Sequence, residues 1–153
     1  MTISIAIVVS EFNVDITYEM LEKARQYINK KDVELHYICY VPGSFDMPLM
    51  VEELLKKKDV DAVITLGAII KGETNHDIIV AENVSRLIGD ISLKYGKPVT
   101  LGITGPNMTY QQAKERISTV STRAVDAAIQ MVIRLKRIKD ETYSFQKIVI
   151  IDS

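Results

Sequence analysis

Apolar and polar positions follow two different periods along this chain, and the switches between them mark its elements. Residues 4–9 (SIAIVV) form a nearly unbroken apolar run, the pattern of a parallel strand covered on both faces. After the polar stretch SEFNVD, Ile16, Met20, Leu21, Ala24, Tyr27 and Ile28 recur at helical spacing across residues 16–29, with Asp15 or Thr17 as candidate caps. Residues 35–41 read as a second strand that ends at VPGSFDMP. Residues 47–57 are helical, with Leu49, Met50 and Leu54 on one side and a lysine run expected in the last turn. A third strand starts at residues 62–66 and leads into the loop GETNH. A long helix then extends to about Tyr95, where Gly96 and Pro98 stop it. Residues 99–103 form a fourth strand, TGPNM a loop, and residues 109–138 a helical region, bent near residues 118–122, where four of five residues are Ser or Thr.

Four strand–helix repeats with short connections predict an α/β fold: a three-layer α/β/α sandwich on a four-stranded parallel sheet, of flavodoxin-like topology, over residues 1–140. Residues 141–153 stand apart. Their KIVIIDS end is apolar and β-prone, an aggregation hazard if left bare, and is expected to pair with a sheet edge or to pack on another subunit.

Composition narrows the function classes. At 153 residues and 47% hydrophobic, the chain is one domain with a sizeable core. A net charge of −1 and a pI near 6.1 give no basic footprint for nucleic acid and no polybasic membrane patch. There is no apolar stretch of bilayer-spanning length and no charged signal region, so a cytoplasmic location is expected. The single cysteine, Cys39, excludes an internal disulfide or a multi-Cys metal site and reads as a small buried hydrophobe.

The chemistry is expected in the loops, because ligands of parallel α/β sheets gather outside the carboxyl ends of the strands. Phe12 and Asn13, the run from Gly43 through Ser44 and Phe45 to Asp46, the GETNH loop with His76, and TGPN all fall there. Aromatics to stack, amides and hydroxyls to bond, and a histidine to move protons suit a small, planar, polar ligand. Each residue also has a plainer reading. His76 is a helix-terminus histidine, Phe12 a core lid, Asp46 a cap for the helix from Met47, residues 72–74 a turn, and Arg116 and Arg123 solvated charges. His36, within a strand, reads as structural. No G-x-G-x-x-G, Walker loop, G-x-S-x-G elbow or metal-ligand cluster is present; Gly89 and Lys97 have the wrong spacing for a Walker loop. The residues alone reach a small-molecule site and no particular reaction.

Taken together, EFN, VPGSFDMP, LGAIIKGETNHDIIV, KPVTLGI and QAKER, in this order and spacing, resemble the 6,7-dimethyl-8-ribityllumazine synthase family, most closely its archaeal members. The resemblance covers most of the chain. It implies condensation of 5-amino-6-(D-ribitylamino)uracil with 3,4-dihydroxy-2-butanone 4-phosphate, in riboflavin biosynthesis, without metal or organic cofactor. Phe12 matches the aromatic that stacks on the pyrimidine and Asn13 its polar neighbour; Ser44 and Asp46 match positions that hold the ribityl chain, flanked by Gly43 and Phe45. Gly72, Glu73 and Thr74 match the phosphate-gripping loop, with Ile70 before it among the substrate-binding positions, His76 the proton-transfer residue, and Arg116 the arginine supplied by an adjacent subunit. A phosphate at a helix N-terminus leaves more readily when an arginine neutralises it, and the positive end of that helix favours the neutral imidazole that acts as a base. Lys71 invites an imine role, but in the family the substrate amine forms the imine.

Departures from the family pattern are visible. Leu101 stands where many members have an aromatic, ISTVST replaces a glycine-rich turn, and Arg123 lies near the place of a further basic residue. The chain opens at its first strand, where many relatives carry a preceding segment. The resemblance implies a homopentamer or an icosahedral shell of twelve pentamers. Two alternatives remain at this point: a riboflavin synthase of the archaeal type, and a non-catalytic flavin- or lumazine-binding protein. The intact GET-x-H loop argues against the first, and His76 with Arg116 against the second.

Overall fold

The computed structural model describes residues 2–145 and 147–152. Four strands, β1 (Ile3–Ser10), β2 (Val33–Val41), β3 (Ala62–Ile70) and β4 (Val99–Met108), form one parallel sheet in the order β2-β1-β3-β4. Parallel neighbours need crossovers, and helices supply them: α1 (Val14–Ile28), α2 (Met47–Leu55) and α3 (His76–Tyr95), followed by α4 (Tyr110–Glu115) and α5 (Ile117–Asp140). The sheet order reverses between β1 and β3, so the crevice for a ligand is expected at their carboxyl ends.

The unbroken apolar strands follow from burial on both faces. From β1, Ile3, Ile5, Ile7 and Val9 point into a core shared with α1 and α5, while Ala6 and Val8 point into a second core under α2 and α3. Ile5, Ile7, Val8 and Val9 have no exposed surface, and each such side chain contributes roughly 1.5–3 kcal/mol by leaving water. Among the described residues no helix is long and apolar enough to cross a membrane.

Several boundaries depart from the sequence expectation. α1 starts at Val14, capped by Asn13 in the left-handed conformation (φ 62°), and neither Asp15 nor Thr17 caps it. Thr17 is buried, and its hydroxyl has no hydrogen-bond partner. α2 ends at Leu55, so the lysine run follows the helix instead of filling its last turn. β2 begins at Val33, before the expected Leu35.

The largest departure is β4. TGPNM is not a loop: it continues the strand to Met108, pairing Ala68 with Thr104 and Ile70 with Met108 across a bulge. Gly105 makes this possible. It adopts φ +104° and lies so close to β3 that a Cβ there would stand 2.1 Å from the Ile69 carbonyl oxygen. The last helical region breaks at Arg116, between α4 and α5, and not in the Ser/Thr run. That run stays helical, and within it Ser121 and Thr122 donate their hydroxyls to the carbonyls of Ile117 and Ser118 one turn back instead of turning the backbone out of the helix.

The described tail residues form no strand. Arg137 holds their end, donating to Asp152 Oδ1 (2.7 Å) and to the Ile150 carbonyl (3.1 Å), while Ile148 and Ile150 remain exposed. Cys39 is half-buried, and that burial pushes its thiol up. His36 on β2 lies between the Asp59 carbonyl and the Glu34 carboxylate, each 2.8 Å from a ring nitrogen. Both partners only accept, so the neutral ring satisfies one and the imidazolium both; the Glu34 bond, then the Asp59 bond, raises its pKa above the ordinary 6.5.

Three outcomes are expected. Gly105→Ala lowers stability by about 2 kcal/mol or more, whereas Gly89→Ala, in the exposed interior of α3 with open space around it, raises it by about 0.5–1 kcal/mol, both read from urea titrations. The His36 contribution is fully present below pH 6.5 and is lost as pH rises through the raised value of the folded state. His36→Ala is therefore expected to destabilise at pH 5.5 more than at pH 8.5. NMR titration resolves His36 against His76, the other of the two histidines.

Candidate active site

At the carboxyl ends of β1 and β3, where the strand order reverses, lies a cavity of about 400 Å³. Its walls come from three loops and one strand end. Phe12 follows β1; Gly43, Ser44 and Phe45 follow β2; Ala68, Ile69 and Ile70 end β3; Gly72, Thr74, His76, Asp77 and Val80 come from the next loop and the start of α3.

The first wall rests on the turn out of β1. The Glu11 N–H donates to the Val41 carbonyl (2.7 Å), and the Phe12 N–H to Ser10 Oγ (3.1 Å). Asn13, left-handed, turns its side-chain amide back to the Ala68 carbonyl (3.0 Å). Asn13 thus holds the turn against β3 and does not line the cavity. The result is a phenyl ring, Phe12, left 68% exposed at the mouth. An apolar ring held in water by a well-bonded turn is a surface suited to a stacked planar ligand.

The second wall is a 3₁₀ turn, Ser44–Asp46. Asp46 Oδ2 accepts the Gly43 N–H (3.0 Å) and the Asp46 N–H returns to the Gly43 carbonyl (3.0 Å). Asp46 therefore ties its own loop and is absent from the lining; it stands at the N-cap of α2 but makes no side-chain cap bond to that helix. The turn buries Ser44 against β3 and leaves Phe45 60% exposed. Gly67 permits this approach, since a Cβ there would stand 2.6 Å from Ser44 Oγ.

The third wall is the start of α3. Residues 71–76 are exposed, and the His76 N–H donates to Thr74 Oγ1 (3.3 Å). Asn75, the N-cap, makes no side-chain cap bond. The start of α3 brings the partial positive charge of a helix N-terminus to the cavity wall, a setting that favours an anion, with the His76 N–H already taken by Thr74. Gly72, Thr74 and His76 line it; Glu73 lies on the same loop outside the lining.

Besides Asn13, Asp46 and Glu73, which stand beside the cavity without lining it, two further expected residues are not brought to it within one chain. Arg116, at the α4–α5 break, lies with Nη1 3.3 Å from Met108 Sδ. Leu101, 47% exposed on β4, lines a separate surface hollow with Ile103, Val120 and Arg123. Conversely, sequence reasoning missed Ala68, Ile69, Asp77 and Val80. The strand-end residues were readable as part of an apolar run that reaches the loop; Asp77 carries no signal that separates it from an ordinary first-turn acid.

Comparison with known proteins agrees with this architecture. The family model described as 6,7-dimethyl-8-ribityllumazine synthase matches residues 2–136. A protein of that name from Saccharolobus islandicus is 51% identical over 151 residues, covering 99% of this chain and 97% of its own. One from Metallosphaera sedula is 47% identical over 143 residues, 94% and 95% of the two chains. One from Sulfolobus acidocaldarius is 50% identical over 138 residues, 90% and 87%. A match across nearly the full length makes this chain a member of the 6,7-dimethyl-8-ribityllumazine synthase family.

Proposed function

We propose that the chain condenses 5-amino-6-(D-ribitylamino)uracil with 3,4-dihydroxy-2-butanone 4-phosphate to give 6,7-dimethyl-8-ribityllumazine, inorganic phosphate and water. The observation that carries this reading is the cavity itself. An exposed phenyl ring and the start of a helix with a histidine at its first position both line it.

In this reading the pyrimidine stacks on Phe12, and Ser44 bonds the ribityl hydroxyls. The phosphate of the second substrate sits at the loop of Gly72 and Thr74. The substrate's own amine attacks the ketone, losing water to form an imine. His76 takes the proton whose removal allows the carbon–oxygen bond to phosphate to break. The ribityl-bearing nitrogen then closes the ring with loss of a second water. Donors aimed at the departing phosphate lower the barrier where negative charge accumulates.

Arg116 supplies the remaining charge from a neighbouring copy. Two things support this: its guanidinium lies outside the cavity of its own chain, and Leu101 likewise sits in a different hollow. The assembly in this reading is a homopentamer, closed so that each cavity meets the Arg116 of the next subunit. Its workplace is the cytoplasm.

Purified protein given both substrates is expected to produce the lumazine chromophore. His76→Ala is expected to reduce kcat by roughly 10²–10⁴-fold and Arg116→Ala by roughly 10²–10³-fold. When the two variants are unfolded and reassembled together, about a quarter of the sites combine an intact His76 with an intact Arg116, if a closed ring supplies them from different copies. Activity recovered to that level supports the shared site; mixtures as inactive as the parents contradict it.

A further inference from the structure

The loop that carries Thr74 and His76 has both its ends held by one dipeptide of β4. At its start, the Lys71 N–H donates to the Met108 carbonyl (2.8 Å). At its end, the Asn107 N–H donates to Asp77 Oδ2 (2.9 Å). Between these two bonds residues 72–76 are exposed, and the other hydrogen bonds that hold them are local, from the His76 N–H to Thr74 Oγ1 and from the Ile78 and Ile79 N–H groups to the Asn75 carbonyl. Asp77 itself is 6% exposed and lines the cavity. Asn107 is left-handed at φ 56°, a conformation asparagine tolerates, and β4 reaches that point because Gly105 lets it approach Ile69.

A carboxylate in the wall of a cavity for a phosphorylated substrate is at first sight misplaced, since it repels the ligand. A first-turn acid does stabilise its helix, but an outward-facing side chain achieves that without lining the cavity. The bond to Asn107 gives a reason for the inward one: it is the tie at the His76 end of the loop.

We propose that Asp77 is a positioning residue for the reaction. By accepting the Asn107 N–H it fixes the helix end of the loop, so that Thr74 and His76 meet the phosphorylated substrate in one geometry. The inference rests on the reading of the cavity given above. Without the tie, β4 holds the loop only through Lys71, and displacement of about 1 Å at a reacting group costs up to about 10²-fold in rate.

Steady-state kinetics of Asp77→Asn and Asp77→Ala test this. The asparagine retains an oxygen that accepts the Asn107 N–H, and its kcat is expected within about threefold of the parent; the alanine is expected to lose roughly 10- to 100-fold in kcat. The alanine's KM for the butanone phosphate is expected to rise, with KM for the ribitylaminouracil unchanged, because Phe12 and Ser44 stand on other loops. Parental kinetics in Asp77→Ala, or equal changes in both KM values, overturn the proposal. Should the alanine not fold, amide exchange decides: the Asn107 N–H is expected protected in the parent and in Asp77→Asn, and rapid exchange in the folded parent overturns the tie. Should the parent form no lumazine, the proposed function fails on its own. The positioning role is then read by titrating inorganic phosphate against the amides of residues 72–76, where Asp77→Ala is expected to bind about tenfold more weakly and equal affinity overturns it.

Discussion

Everything in this molecule depends on β1 and β3 lying side by side in parallel, sealed from water on both faces. Parallel pairing forbids tight hairpins, so each connection crosses the sheet as a helix and every strand delivers its carboxyl end to the same edge. The central pair sets where the order turns, with β2 on one side and β4 on the other, and the loops must splay apart there. The cavity is the gap left by that divergence. Its location is a consequence of topology, while its chemistry comes from the few residues that the loops hold over it.

Loops at such an edge would wander if nothing joined them. Here a series of bonds links one strand end to the next. The Glu11 N–H reaches the end of β2, the Asn13 amide reaches β3, the Lys71 N–H reaches the end of β4, and Asp77 receives the Asn107 N–H. Most of the donors and acceptors are backbone groups, and the side chains that take part, Asn13 and Asp77, stand beside the groups that would touch substrate. These ties are thus made by neighbours of Phe12, Thr74 and His76, which line the cavity. The same economy explains why Asp46, one turn away, spends its carboxylate on the Gly43 N–H.

The fold was largely legible in the sequence because burial on both faces leaves a signature that solvent exposure would erase: runs such as SIAIVV and AVITLGAII have no polar alternation. Phe12, Ser44, Thr74 and His76 were legible through their place after strands. What escaped was set by contacts distant in sequence. Gly, Pro and Asn in TGPNM have the chemistry of a loop, yet pairing with β3 makes them a strand. The Ser/Thr run looked like a break, yet it is helical with its hydroxyls bonded to the preceding turn, and the break falls at Arg116, where no breaker residue stands. Asp77 was invisible because its partner lies 30 residues away. The exposed Ile148 and Ile150 show the converse case, an apolar pattern that this chain alone leaves uncovered.

The central claim is that one chain provides the stacking ring and the helix N-terminus, and another copy provides the arginine. A crystal structure of the assembled protein with 6,7-dimethyl-8-ribityllumazine and inorganic phosphate tests it most directly. The account requires the heterocycle against Phe12, phosphate at the backbone of Gly72 and Thr74, and Arg116 of a second copy within hydrogen-bonding distance of that phosphate. A heterocycle bound elsewhere, or a phosphate site with no Arg116 from any copy, would contradict it.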